Sequence, residues 1–126
     1  MRKKNPGIRS RLHSFKYAFD GLISLLKNEP NSRIHLVMAI LVIVLGFILP
    51  LSISEWLIII MVTGLVFITE LINSSIEQAA DIIEPEQDPK VKLIKDYAAA
   101  AVLVSAIVAV ITGGLIFIPK LIDILN

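Results

Sequence analysis

The stretch WLIIIMVTGLVFITELINSSIEQAAD, residues 56–81, decides how this chain is read. Residues 56–69 carry no charge, and residues 70–81 then introduce Glu70, Asn73, Glu77 and Asp81. As one helix, the stretch leads straight out of a membrane-grade apolar segment into a polar one. Charged groups at bilayer depth are costly to hold, so an ionisable residue there is a functional hypothesis by default. On a helix, residues 3, 4, 7 and 11 apart share a face. At about 100° per residue, Asn73, Glu77 and Asp81 fall within roughly 60° of Glu70. The segment therefore predicts a spanning helix with one polar stripe at its end.

The rest of the chain agrees with a membrane reading. Of 126 residues, 56% are hydrophobic, and the mean hydropathy is +0.79. A soluble domain of this size lacks the core volume to hide so much apolar surface. The net charge of +1 offers no electrostatic case for nucleic acid. Cysteine is absent, which removes disulfides, thiol nucleophiles and Cys-based metal sites. His13 and His35 lack the HExxH spacing of a zinc helix. The basic N-terminus has no clean apolar core and does not read as a cleaved signal peptide.

Besides residues 56–69, two further uncharged stretches occur, Leu36–Ser54 and Tyr97–Pro119. A spanning helix needs about 20 mostly apolar residues. The expected spans are about 34–53, 55–80 and 93–119, within a single membrane domain covering 1–126. PLSIS (50–54), with Glu55 and Trp56, predicts a tight turn, and EPEQDPKVK (84–92) the second connection. Lys and Arg crowd the N-terminal side and the second connection, while the first turn has none. The positive-inside rule then puts the N-terminus and residues 77–95 in the cytoplasm and the C-terminus outside. Ahead of the first span, Leu12, Phe15, Phe19, Leu22 and Leu26 recur at steps of 3 and 4. That spacing predicts an amphipathic helix over about 8–28, lying in the membrane interface or packed on the bundle.

Depth sorts the polar stripe. With Glu55 as one membrane boundary and about 1.5 Å of rise per residue, Glu70 lies about 22 Å in and Glu77 about 33 Å in. A hydrocarbon core is about 30 Å thick. Glu70 is thus placed just inside the far edge, and Glu77 among the headgroups. Burial favours the neutral form of a carboxylate, which suits a general base. A carboxylate at headgroup level suits a hard cation such as Mg²⁺. Two more polar sets converge on this plane: Glu29, Asn31, Arg33 and His35 before the first span, and Lys92, Lys95 and Asp96 at the start of the third. Taken singly, Glu77, Asp81, Lys92 and Lys95 read equally well as solvated charges, and Glu29–Arg33 as a helix-stabilising i, i+4 pair. Asn73 also reads as interhelical glue. Ala98–Ala101 with Gly113 and Gly114 reads as small-residue packing surface for close helix contacts, within the chain or between protomers. Three spans leave little interior for the stripe, which argues for a homo-oligomer with sites between protomers.

ELINSSIEQAAD resembles the signature E-x-x-N-[ST]-[AS]-I-E-x-x-x-D of the small prokaryotic diacylglycerol kinases, a family that includes the undecaprenol kinases of Gram-positive bacteria. KLIKDYAAAAVLVS, SFKYAFDGL and NEPNSRIH are also similar to family segments, so the resemblance covers about residues 11–118. It implies an all-α homotrimer in the bacterial plasma membrane, with three spans and an N-terminal surface helix in each protomer. It implies transfer of the γ-phosphoryl of MgATP to a lipid alcohol. Carried over by position, Glu70 matches the general base. Glu77 and Glu29 match the ligands of Mg²⁺, and Asn73 the amide near the transferring phosphate. Lys95, Asp96 and Tyr17 match nucleotide contacts. Ser10 stands at the place of a family arginine, which puts Arg11 forward as its substitute. NSRIH resembles the undecaprenol branch, with diacylglycerol as the alternative acceptor. No GxxxxGK[ST] or protein-kinase motif is present. An ion or proton transporter would spread carboxylates across the membrane depth, and a non-catalytic assembly subunit would give Glu70 and Glu77 no reason to share a face.

Overall fold

The computed structural model describes residues 7–83 and 88–126. Arg2, Lys3 and Lys4, and residues 84–87 of the expected second connection, lie outside the described residues. Four helices follow in chain order: α1 Ile8–Asn28, α2 Pro30–Ile48, α3 Ile53–Ile83 and α4 Pro89–Leu125. The last three are each long and apolar enough to cross a membrane. This is an all-helical integral membrane protein.

Local chemistry fixes the helix boundaries. Pro30 and Pro89 open α2 and α4 at the first turn, where a missing N–H leaves nothing unpaired. Asp88 caps α4, its carboxylate accepting from the backbone N–H of Lys90 at 2.6 Å. Ser52 and Glu55 form a reciprocal capping box before α3. The Ser52 N–H donates to Glu55 Oε2 at 2.7 Å, and the Glu55 N–H donates to Ser52 Oγ at 3.2 Å. α2 stops at Ile48, two residues before Pro50, which disfavours helix in the residue ahead of it. α4 outruns the expected span of 93–119 because Pro119 sits inside the helix without ending it. Lys120, one residue on, donates to the carbonyl of Pro50 at 3.0 Å and pairs with Glu55 at 3.1 Å. These bonds tie the end of α4 to the α2–α3 turn.

α3 and α4 form the main helix pair, and α2 leans on α3 more lightly. Leu49, Ile59 and Phe117 make the buried apolar cluster at the turn end. Beside it, a Cβ built at Gly46 would stand 2.6 Å from the Trp56 ring, so this crossing of α2 and α3 needs glycine. Gly113 differs: a Cβ there meets nothing within 4 Å. Within the chain, the Gly113–Gly114 pair makes no tight contact between helices, which leaves contact between protomers as the remaining form of the small-residue expectation. The pair lines a groove of about 450 Å³ between α2, α3 and α4. Most of the large apolar side chains on the three long helices face outward, as a lipid solvent or neighbouring protomers require.

α1 joins α2 through a stitched elbow at Glu29. Ser32 is fully buried, and its hydroxyl lies 3.0 Å from the Leu25 carbonyl and 2.7 Å from that of Glu29. Arg33 Nε donates to the Leu26 carbonyl at 2.8 Å, and Nη2 donates to that of Lys27. The sequence suggested Glu29–Arg33 as a pair within one helix. The helix breaks at Glu29 instead, and Arg33 is committed to the carbonyls left over at the end of α1.

Candidate active site

The polar stripe of α3 faces into the molecule. Glu70 is 3% exposed and Ser74 is buried; Asn73 and Glu77 are half-buried. Together with Asn31 and His35 from α2, the residues Glu70, Asn73 and Glu77 line a cavity of about 310 Å³, closed on the far side by apolar residues of α4. The cavity shares Ile34, His35 and Ala106 with the apolar groove. The two spaces therefore meet, polar toward Glu77 and apolar toward Phe117.

Within the cavity, Asn73 Nδ2 donates to Glu77 Oε1 at 3.3 Å. The amide therefore bonds along its own helix rather than across to another, and its Oδ1 has no partner among the described residues. Glu70 Oε1 lies 3.0 Å from His35 Nε2, close enough for an ion pair but not aligned as a hydrogen bond, and it too has no hydrogen-bond donor there. Ser74 Oγ is the third unpartnered buried atom. Buried polar groups are normally satisfied, and exceptions call for an explanation. Here three fall within one and a half turns of a single helix. Just below, Thr69 and Ser105 join α3 to α4 through their hydroxyls at 2.8 Å.

The other candidate residues stand around this cavity rather than in it. Lys95 Nζ lies 2.8 Å from Asp81 Oδ1, which gives Asp81 a partner that reading α3 alone did not reveal. Lys92 pairs with Asp96 one turn on, and both are exposed. Tyr17 is exposed on α1, its ring 6.5 Å from that of His13, and Arg11 is exposed in the first turn of α1, at the end far from the elbow. Glu29 caps the elbow and does not line the cavity. Among the described residues, no three His, Asp or Glu side chains gather as a metal cluster. His35 carried no assigned role in the sequence. Its cross-helix contact with Glu70 depends on how α2 packs against α3, which spacing along one helix cannot reveal.

The arrangement defines a membrane-embedded enzyme, with carboxylates placed where an apolar groove meets a polar cavity. Comparison with known proteins agrees. Residues 16–117 match the family model described as prokaryotic diacylglycerol kinase. The chain is 42% identical over 108 residues to the undecaprenol kinase of Bacillus subtilis, covering 86% of this chain and 88% of that protein. It is 33% identical over 115 residues to the diacylglycerol kinase of Haemophilus influenzae, covering 90% and 98%. With the diacylglycerol kinase of Escherichia coli it shares 32% identity over 112 residues, covering 89% and 92%. The chain belongs to the prokaryotic diacylglycerol kinase family, and it is a lipid kinase.

Proposed function

We propose that this enzyme transfers the γ-phosphoryl of MgATP to the hydroxyl of undecaprenol, giving undecaprenyl phosphate. The observation that carries the reading is the meeting of the two spaces beside Glu70. A lipid alcohol needs a place for its chain and a base at its hydroxyl. The groove offers about 450 Å³ of almost wholly apolar wall, and the buried carboxylate stands at its polar end. Similarity to the Bacillus undecaprenol kinase favours the polyprenol over diacylglycerol, which remains the second acceptor to test.

Phosphoryl transfer asks for positioning and charge neutralisation more than for covalent help. Glu70 acts as general base on the lipid hydroxyl. Asn73 donates to Glu77 and holds that carboxylate in place at the phosphate end of the cavity. Mg²⁺ takes oxygen donors and is usually held by one or two carboxylates plus substrate phosphates, so a site without a three-residue cage suits it. Glu77 and Glu29 would hold the ion, which neutralises triphosphate charge when bound. Lys95 adds a positive charge for phosphate, with Asp81 fixing where its ammonium stands. Asp96, Tyr17 and Arg11 meet the nucleotide from the water side. α1 lies in the membrane interface, its apolar stripe of Leu12, Phe15 and Phe19 against lipid and its N-terminal end toward the cytoplasm. Three copies assemble into the working enzyme, which brings Glu29, Arg11 and Tyr17 to the cavities from neighbouring protomers. The C-terminal end of α4 lies outside the cell.

The test is transfer of label from γ-labelled ATP, offered undecaprenol and diacylglycerol separately, with Glu70→Gln alongside. Labelled undecaprenyl phosphate from the wild type and none from Glu70→Gln is the expected result. Label in diacylglycerol alone reassigns the acceptor, and full activity of Glu70→Gln removes the base.

A further inference from the structure

A general base must dispose of the proton it takes. Glu70 is poorly placed to do so alone, because its side chain is 4% exposed and walled by helices. One group stands beside it that can carry a proton onward. His35 Nε2 is 3.0 Å from Glu70 Oε1, and its side chain is 21% exposed. The imidazole thus bridges the enclosed carboxylate and the polar cavity.

The surroundings leave His35 with few competing partners. From α3 it faces Glu70 and, farther along the cavity, Glu77. From α4 it faces only the apolar Ala99, Val102, Leu103 and Ala106. On its own helix, Arg33 is occupied by the carbonyls of Leu26 and Lys27. α1 of the same protomer contributes no charged group to the cavity wall, and on the trimer reading above the charged groups that neighbouring protomers bring are Glu29 and Arg11. The imidazole can turn one nitrogen to the carboxylate and the other to the cavity, as a relay requires.

We propose that His35 is a positioning and proton-relay residue for Glu70; the proposal rests on the general-base reading of Glu70 given above. As the lipid oxygen forms its bond to the γ-phosphorus, its proton passes to the Glu70 carboxylate. The bond from the γ-phosphorus to the bridging oxygen breaks, and that oxygen leaves on ADP with the electron pair. The proton on Glu70 Oε1 then moves to Nε2 of the neutral imidazole. The imidazolium stands paired with the restored carboxylate and releases its proton to water in the cavity. Each turnover delivers one proton to solution and returns both side chains to their starting states.

The contact would look the same if His35 only packed against α3, so the test uses readouts that packing does not move. Full-length enzyme in lipid bilayers is assayed as wild type, His35→Asn, His35→Gln, His35→Ala and Glu70→Gln, across the acid and neutral pH range. The relay predicts that His35→Asn and His35→Gln lower kcat by about 10-fold or more while leaving KM for ATP within about twofold. The relay further predicts that the acid limb of the pH–rate profile moves in both variants. Added imidazole restores part of the kcat of His35→Ala. If Glu70→Gln is inactive while His35→Asn and His35→Gln keep the wild-type kcat and acid limb, the relay is overturned and the base reading stands. Lower kcat with an unmoved acid limb and no rescue by imidazole also overturns it, leaving His35 a packing role. An active Glu70→Gln removes base and relay together.

Discussion

The two ends of the helix bundle handle polar groups in opposite ways. At the turn end, the charges at the helix junction are paired: Glu55 serves the Ser52 cap and Lys120, and Lys120 also holds the Pro50 carbonyl. At the other end, Glu70, Asn73 and Ser74 each bury an atom with no hydrogen-bond partner among the described residues. An unmade buried hydrogen bond costs about 1–3 kcal/mol. On the proposed reading, the turn end keeps the helices together and the other end receives ligands.

Substitutions at the two ends should therefore fail differently. The largest effect is expected at Glu70. Glu70→Gln preserves shape and should cut phosphoryl transfer by about 100-fold or more, with no loss of thermal stability in detergent. A parallel fall in stability would mean that the carboxylate is structural and would erase the contrast. Glu77→Ala comes next. It should raise the Mg²⁺ concentration needed for half-maximal rate or abolish turnover, read from a metal titration at saturating ATP. An unchanged titration removes Glu77 as a ligand. Gly46→Ala belongs to the other end. A methyl 2.6 Å from the Trp56 ring forces a shift, expected to destabilise by about 1–3 kcal/mol while the folded fraction keeps its specific activity. Lys120→Met should lower the melting temperature only slightly, since its pair with Glu55 is partly open to solvent. The smallest effect is expected for Asp81→Asn. That pair is exposed on the Asp81 side, so KM for ATP should rise by less than about fivefold.

The same contrast explains what could be read from sequence. Apolar length marks the three long helices, because lipid demands it. The 3.6-residue period puts Glu70, Asn73 and Glu77 on one face, and that face lines the cavity. Both signals are local to one helix. What crosses between helices was less legible. The His35–Glu70 and Lys95–Asp81 contacts depend on relative placement of α2, α3 and α4, which no periodicity encodes. Arg33 shows the same limit. Its i, i+4 spacing from Glu29 offered a helix-stabilising pair as one reading, but Pro30 makes Glu29 a junction, and the arginine turns to another helix's carbonyls. Gly113 and Gly114 looked like contact surface because small residues often are. Only the packing reveals that they border a groove.

The elbow at Ser32 has a consequence of leverage. α1 is a 21-residue arm, about 30 Å long at 1.5 Å per residue. Arg11 lies 17 residues from its hinge at Asn28, about 26 Å away. A 10° wobble at the hinge would sweep Arg11 through about 4.5 Å, more than the reach of a hydrogen bond. One serine hydroxyl shared between two carbonyls, and one guanidinium donating to two more, bear against that wobble. The aim of the arm's far end is set by a few atoms at its shoulder.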